Sequence, residues 1–303
     1  MNLHGIELEL QTASSVLERA WAALWAGWEP AGRQAGAGSI QLALRLGDNL
    51  PPPPAVRPLF EAEDGTQAVY AGHEEGDFAL WFPGLAHMQV ATGRSTLSGT
   101  ILPAALGQWQ TIILAGLAPL LRRRQLFLVH GFGVQRGAET RLLLGPRGAG
   151  KSAAGLAHLL AGWTFLGNDA VLLSAEADGV YAWPTPGELA IRPDTLTRLP
   201  AAERWLLPQS ADPNLQLNLD VGQIRQTQGG RPARVSQLFF VQQHELASRL
   251  GAIRPVQALG QLMTHSIDRW DAALFAEHAA VLRLLVEGAA CRTYWLGPEL
   301  GVE

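Results

Sequence analysis

Eight consecutive residues concentrate the chemistry open to this chain. Gly145-Pro146-Arg147-Gly148-Ala149-Gly150-Lys151-Ser152 fits every fixed position of the spacing G-x-x-x-x-G-K-[ST]. Glycines at these positions let the backbone turn its N–H groups inward and come close to an anion. Lys151 is the only lysine among 23 Lys and Arg residues. An ammonium on a flexible stem suits a terminal phosphate where a planar guanidinium fits differently. Ser152 brings a hydroxyl for a magnesium ion. The expected ligand is therefore ATP with Mg²⁺, held by Gly145, Gly148, Ala149, Gly150, Lys151, Ser152 and Ala153. The alternative is a Gly-rich turn with an incidental lysine.

Magnesium needs a second protein anchor, usually an acid at the end of a neighbouring apolar strand. Asp169 is the nearest candidate, after Trp163-Thr164-Phe165-Leu166-Gly167. One helix and one short strand separate it from Lys151, which returns the chain to the phosphate side of a sheet. The other reading of Asn168-Asp169 is a turn-forming pair. The metal site expected from the sequence is Ser152 with Asp169.

The elements that must position these groups can be read from periodicity. Thr140–Leu144 reads as a strand entering the loop, and Lys151–Leu160 as the helix leaving it, with Gly162 as its stop. That order also aims the positive end of the helix at the phosphates. Further strands are expected at 125–130, 164–166, 170–173, 235–242 and 292–296, and helices at 106–124, 259–263 and 271–287. Before them, residues 14–28 read as a helix. Ser15 and Glu18 have capping-box spacing, an apolar stripe includes Leu17, Trp21, Leu24 and Trp28, and Pro30 and Gly32 form a stop. Strands are expected at 40–46, 69–71, 77–82 and 88–91. The chain thus divides into an N-terminal α+β domain over 1–104 and a catalytic domain over 105–303.

Composition narrows the function classes. With 48% hydrophobic residues the 303-residue chain can build a substantial core. A formal net charge of −4 supplies no general field for nucleic acid. A single cysteine, Cys291, makes no intrachain disulfide and is read as a cytoplasmic setting. The apolar run at 112–121 falls short of the ~20 residues that cross a bilayer. Arg122, Arg123 and Arg124 after it read as cations at the end of a buried helix. No membrane and no nucleic-acid partner is expected.

Taken together, His130-Gly131, the loop Gly145–Ser152, Gly162-Trp163, Asn168-Asp169 and Pro186-Gly187-Glu188-Leu189-Ala190-Ile191-Arg192-Pro193-Asp194 resemble the catalytic domain of HPr kinase/phosphorylase and its HPr-kinase-like relatives. The resemblance covers residues 125 to about 200 well and the remainder weakly. It implies an α/β fold, a P-loop HPr-kinase-like (PEP-carboxykinase-like) domain beside the smaller N-terminal one. It also implies a kinase that moves the γ-phosphoryl of ATP to a serine or threonine hydroxyl of a peptide or small protein, and it allows a homo-oligomer. In that family the acidic pair carries metal and proton, with the histidine close by. The implied catalytic residues are Asp169, Asn168 and His130.

The chain departs from the family at Asn168, where an acid is expected; an amide orients a hydroxyl but does not take a proton at neutral pH. That leaves open a catalytically weak nucleotide-binding module, which would order residues 222–234 around a partner, and a small-molecule kinase on the same scaffold. Taken alone, His130 reads as a core histidine bonded to backbone; the resemblance points to function. Arg192 is a candidate to neutralise phosphoryl charge from a strand, or else a surface partner of Glu188 or Asp194. Arg147 points to phosphate or solvent. Arg231 and Arg234 are candidates for a mobile basic loop, and Trp25 and Trp28 for a peptide-binding face.

Overall fold

The structure, a computed structural model, describes residues 1–28, 38–208, 216–228, 231–266 and 268–300. The expected helix stop at Pro30 and Gly32, the Gly229-Gly230 pair and the side chain of His265 lie outside the described residues. The chain is mixed α/β with several sheets and two compact units. One comprises Met1–Trp25, Pro30–Leu126 and Asp268–Ala276; the other comprises Ala26–Glu29, Phe127–Ile267 and Glu277–Glu303. The division thus falls after Leu126 rather than after residue 104. The reason is packing: the helix Trp109–Arg122 lies on the strands Ala86–Ala91 and Thr96–Ile101 of the first unit.

The first unit is built on a mixed eight-stranded sheet. Its strand order is Asn2–Leu3, Ile6–Gln11, Ser39–Leu46, Thr96–Ile101, Ala86–Ala91, Phe78–Phe82, Ala68–Ala71, Phe60–Glu61. Ile6–Gln11, Ser39–Leu46 and Thr96–Ile101 run parallel and the rest antiparallel. Ile40, Leu42 and Leu44 are buried while Gln41, Ala43 and Arg45 are exposed, the two-residue period of a sheet covered on one face. The helix Ser15–Leu24 crosses between the first two parallel strands and buries Leu17, Trp21 and Leu24. Its cap is Ser14, whose hydroxyl accepts from the Leu17 N–H at 3.4 Å, one residue earlier than the sequence spacing suggested. Trp25 is buried against Trp21, so it presents no peptide-binding face.

The stretch Pro103–Arg122 is 20 helical residues, long and apolar enough by composition to cross a membrane, and 67% of an 18-residue segment of it is buried inside the fold. The apolar run is therefore longer than the sequence reading allowed, because a 3₁₀ turn at Pro103–Gln108 extends the helix. At its end the arginines do more than complement the dipole. Arg124 donates to the Leu120 carbonyl and Arg123 to that of Pro119. Arg122, with 1% exposure, pairs with Asp268 and Asp271, and Arg123 also holds Asp271. These pairs tie Asp268–Ala276 to the first unit.

The second unit centres on a six-stranded sheet ordered Thr164–Gly167, Gly131–Arg136, Glu139–Leu144, Gln237–Gln243, Ala290–Leu296, Arg249–Ala252. Glu139–Leu144, Gln237–Gln243 and Ala290–Leu296 are mutually parallel. The helix Lys151–Leu160 packs on the sheet through Ala153, Ala154, Leu156 and Ala157 against Phe132, Val134 and Leu143. A glycine is required at 155: a Cβ there would lie 2.4 Å from the Phe132 ring. An antiparallel four-stranded sheet (Ala233–Arg234, Gly179–Trp183, Val171–Glu176, Phe127–Val129) and the pair Leu189–Ile191 with Leu217–Leu219 complete the unit.

Candidate functional site

Topology brings the chemistry to one edge of the second sheet. Glu139–Leu144 ends at the glycine loop, and its parallel neighbours end beside it. Gly131–Arg136 is antiparallel to it with Gly131 opposite Leu144, so His130 sits at the loop end. Thr164–Gly167 is antiparallel to Gly131–Arg136, hence co-directional with the loop strand, and it delivers Asn168 and Asp169 to the same end. Ligands of open α/β sheets bind beyond these carboxyl ends.

The loop has the backbone that the glycines permit. Gly145, Gly148 and Gly150 all adopt positive φ, at 142°, 82° and 96°. Lys151, 8% exposed, folds into the loop and donates to the carbonyls of Gly145 at 2.9 Å and Pro146 at 3.0 Å. Burial pulls its pKa down, and the nearby Asp169 carboxylate partly opposes this. The first helical turn leaves its N–H groups without intrahelical acceptors, which is what an anion needs. Arg147 is exposed on the loop.

A hydrogen-bond chain links the predicted metal residues. The Ser152 hydroxyl donates to Asn168 Oδ1 at 3.2 Å, and Asn168 Nδ2 donates to Asp169 Oδ2 at 3.1 Å and to the Glu188 carbonyl at 3.4 Å. Asn168 is buried and Asp169 exposed, with φ of 62° in the left-handed region that Asp tolerates better than most residues. His130 Nδ1 lies 2.8 Å from the Asp169 backbone carbonyl. A carbonyl only accepts, so this nitrogen carries the proton, and the histidine braces the turn that presents the carboxylate. Its bond is to backbone, but the backbone belongs to the acid.

The donor set suits magnesium. Among the described residues no group of three or more His, Cys, Asp or Glu side chains converges. Ser152 and Asp169 offer a hydroxyl and a carboxylate oxygen, the few hard donors that a magnesium ion takes alongside phosphate oxygens and water.

Arg192 does not lie in a strand. Leu189–Ile191 stops before it, and Arg192 occupies the N-cap position of the helix Pro193–Arg198, because Pro193 favours the first helical turn. Its side chain is exposed and pairs with neither Glu188 nor Asp194. The segment 222–234 also differs from the expected loop. Val221–Gln228 is a helix and Ala233–Arg234 a strand on Gly179–Trp183. Arg225, buried to the point that its pKa drops to about 10, donates to the Ala26 and Thr185 carbonyls. Trp28 lies under its guanidinium, so that tryptophan is also engaged in packing.

Three groups escaped the sequence reading. Gln243 ends the strand beside the loop and donates through Nε2 to the Gly148 carbonyl at 2.7 Å. Glu188 is half-buried behind Asn168, and burial raises its pKa. Arg225 is the third. A polar residue closing an apolar strand next to the loop strand was the available signal for Gln243; nothing local marked the other two.

No known family profile and no curated protein sequence matches the chain. Among solved structures, the HPr(Ser) kinase/phosphatase from Coxiella burnetii superposes with a TM-score of 0.26 at 13% identity, over 42% of this chain and 72% of that one. That similarity is weak and carries no argument about activity.

Proposed function

We propose that the second unit binds ATP and transfers its γ-phosphoryl to a serine or threonine hydroxyl of a peptide or small protein. The observation that carries this reading is the hydrogen-bonded run Ser152–Asn168–Asp169 beside the glycine loop and its buried lysine. Lys151 exchanges its two carbonyl acceptors for phosphate oxygens, which form stronger charge-assisted bonds. The helix N-terminus adds its backbone donors. Ser152 and Asp169 would hold Mg²⁺, which when bound neutralises charge on the phosphates. Asp169, exposed and braced by His130, accepts the proton of the incoming hydroxyl. The hydroxyl oxygen bonds to phosphorus as the bond from phosphorus to the ADP oxygen breaks, and ADP leaves with that electron pair.

The amide at Asn168 favours a second reading, a module that binds nucleotide without turning it over. Asn168 fills its hydrogen bonds with Ser152, Asp169 and Glu188 and offers no proton acceptor of its own strength. Incubation with γ-labelled ATP, Mg²⁺ and peptides encoded beside the gene separates the two. Label on serine or threonine supports the kinase; ATP bound but never consumed supports the module; label on a small molecule moves the acceptor class. Absence of ATP binding overturns both main readings.

A further inference from the structure

The strand Gln237–Gln243 outruns the loop strand. Leu144 pairs with Phe240, and the last residues of the longer strand continue alongside the loop, paired only with Ala290–Leu296. The loop climbs along this extension so closely that a Cβ on Gly145 would lie 2.8 Å from the Val241 carbonyl. Val241 and Gln243 share a face by the two-residue period of a strand. Val241 belongs to the core under the helix Lys151–Leu160, so Gln243 stands on the helix side, at the level of the loop.

There its amide meets the Gly148 carbonyl at 2.7 Å. The same peptide group is held at its other end, where the Ala149 N–H donates to the Pro146 carbonyl at 3.2 Å. A phosphate loop works only while its carbonyls face away from the anion. The peptide joining Gly148 to Ala149 follows an exposed glycine at positive φ, so on that side no Cβ resists its rotation. A rotated carbonyl would present negative charge to the phosphates.

We propose that Gln243 is a positioning residue for phosphate binding: its side-chain amide locks the Gly148 carbonyl out of the loop and so keeps the cradle in its anion-accepting form. This rests on the nucleotide reading above. The residue acts on the loop rather than on the nucleoside, so it affects any phosphate chain equally.

The test uses the full chain. Calorimetry with Mg-ATP and with inorganic pyrophosphate compares wild type, Gln243→Leu, Gln243→Glu and Lys151→Ala. Gln243→Leu keeps the bulk and removes the donor; affinity for both ligands falls by the same factor, roughly three- to tenfold, as expected for one hydrogen bond. Gln243→Glu costs more, since a carboxylate replaces the donor and repels the phosphates. The melting temperature of the ligand-free Gln243→Leu protein stays at the wild-type value, because the side chain is exposed. If Gln243→Leu binds both ligands like wild type while Lys151→Ala does not, the inference fails and the nucleotide reading stands. Loss confined to ATP also overturns it, as does a lowered melting temperature that accounts for the loss. If wild type binds neither ligand, both fall.

Discussion

Acidification from pH 7 to 4 is expected to remove about 3 kcal/mol of stability from the second unit through one side chain, His158. This histidine lies on the helix that carries Lys151 and is 1% exposed. Its Nδ1–H donates to the Ala154 carbonyl at 2.7 Å, and its Nε2 lies 3.1 Å from Arg141 Nη1. Arginine always donates, so Nε2 accepts and the ring is neutral. Protonation would set an N–H against the guanidinium in a dry site. Burial is the chief cause that lowers the pKa from 6.5 to about 4; Arg141 and Arg136 add to it, and the Ala154 bond partly opposes it.

A depressed histidine pKa means that the unfolded chain binds more protons between these two values. The contribution is fully present above about pH 6.5, declines as pH falls, and is gone below about pH 4. The difference between 6.5 and about 4 corresponds to about 3 kcal/mol. Gln at 158 can still accept from Arg141 but does not titrate. Urea unfolding followed by tryptophan fluorescence, at pH 7, 5.5 and 4, should show wild type losing about 3 kcal/mol more than His158→Gln. Parallel losses in the two proteins would refute the reasoning.

Other perturbations have equally definite signs. Gly155→Ala improves helix propensity by about 1 kcal/mol, yet its Cβ would overlap the Phe132 ring at 2.4 Å. Overlap in a packed core wins, and denaturation should show a net loss of about 1–2 kcal/mol; a gain would mean that the ring moves freely. Asp271→Ala leaves the buried Arg122 with Asp268 as its remaining carboxylate and should cost about 2–3 kcal/mol, measured by thermal and chemical unfolding; the paired change Arg122→Met with Asp271→Leu should restore much of it. Asn168→Asp places a second carboxylate where the amide now donates to Asp169 at 3.1 Å, and labelled-ATP assays should show transfer rising by roughly tenfold or more if a missing base limits the rate; an unchanged rate leaves Asp169 as the acting base.

Local patterns made the glycine loop and its helix legible. The helix bounds Lys151–Leu160 coincide with the apolar period, and the strand before it ends at Leu144 as expected but begins one residue earlier. Three signals failed for identifiable reasons. The strands Ile6–Gln11 and Thr96–Ile101 were missed because Glu7, Glu9 and Ser98 break the apolar run, although alternation is what a half-covered sheet requires. Arg192 reads from the sequence as a strand residue, whereas Pro193 opens a helix. The helix Trp109–Arg122 was grouped with the segment that follows it, and its packing partners come from strands earlier in the chain.

The sequence by itself determined where the backbone can turn its N–H groups inward beside a lysine, since a glycine's freedom at positive φ and a lysine's charge are properties of single residues. Only the tertiary structure decided which groups face that cradle. Gln243 reaches Gly148 across 95 residues, and Ser152 meets Asn168 across 16. Such contacts depend on strand direction and register, which arise when distant apolar faces are buried together, and no local spacing encodes them.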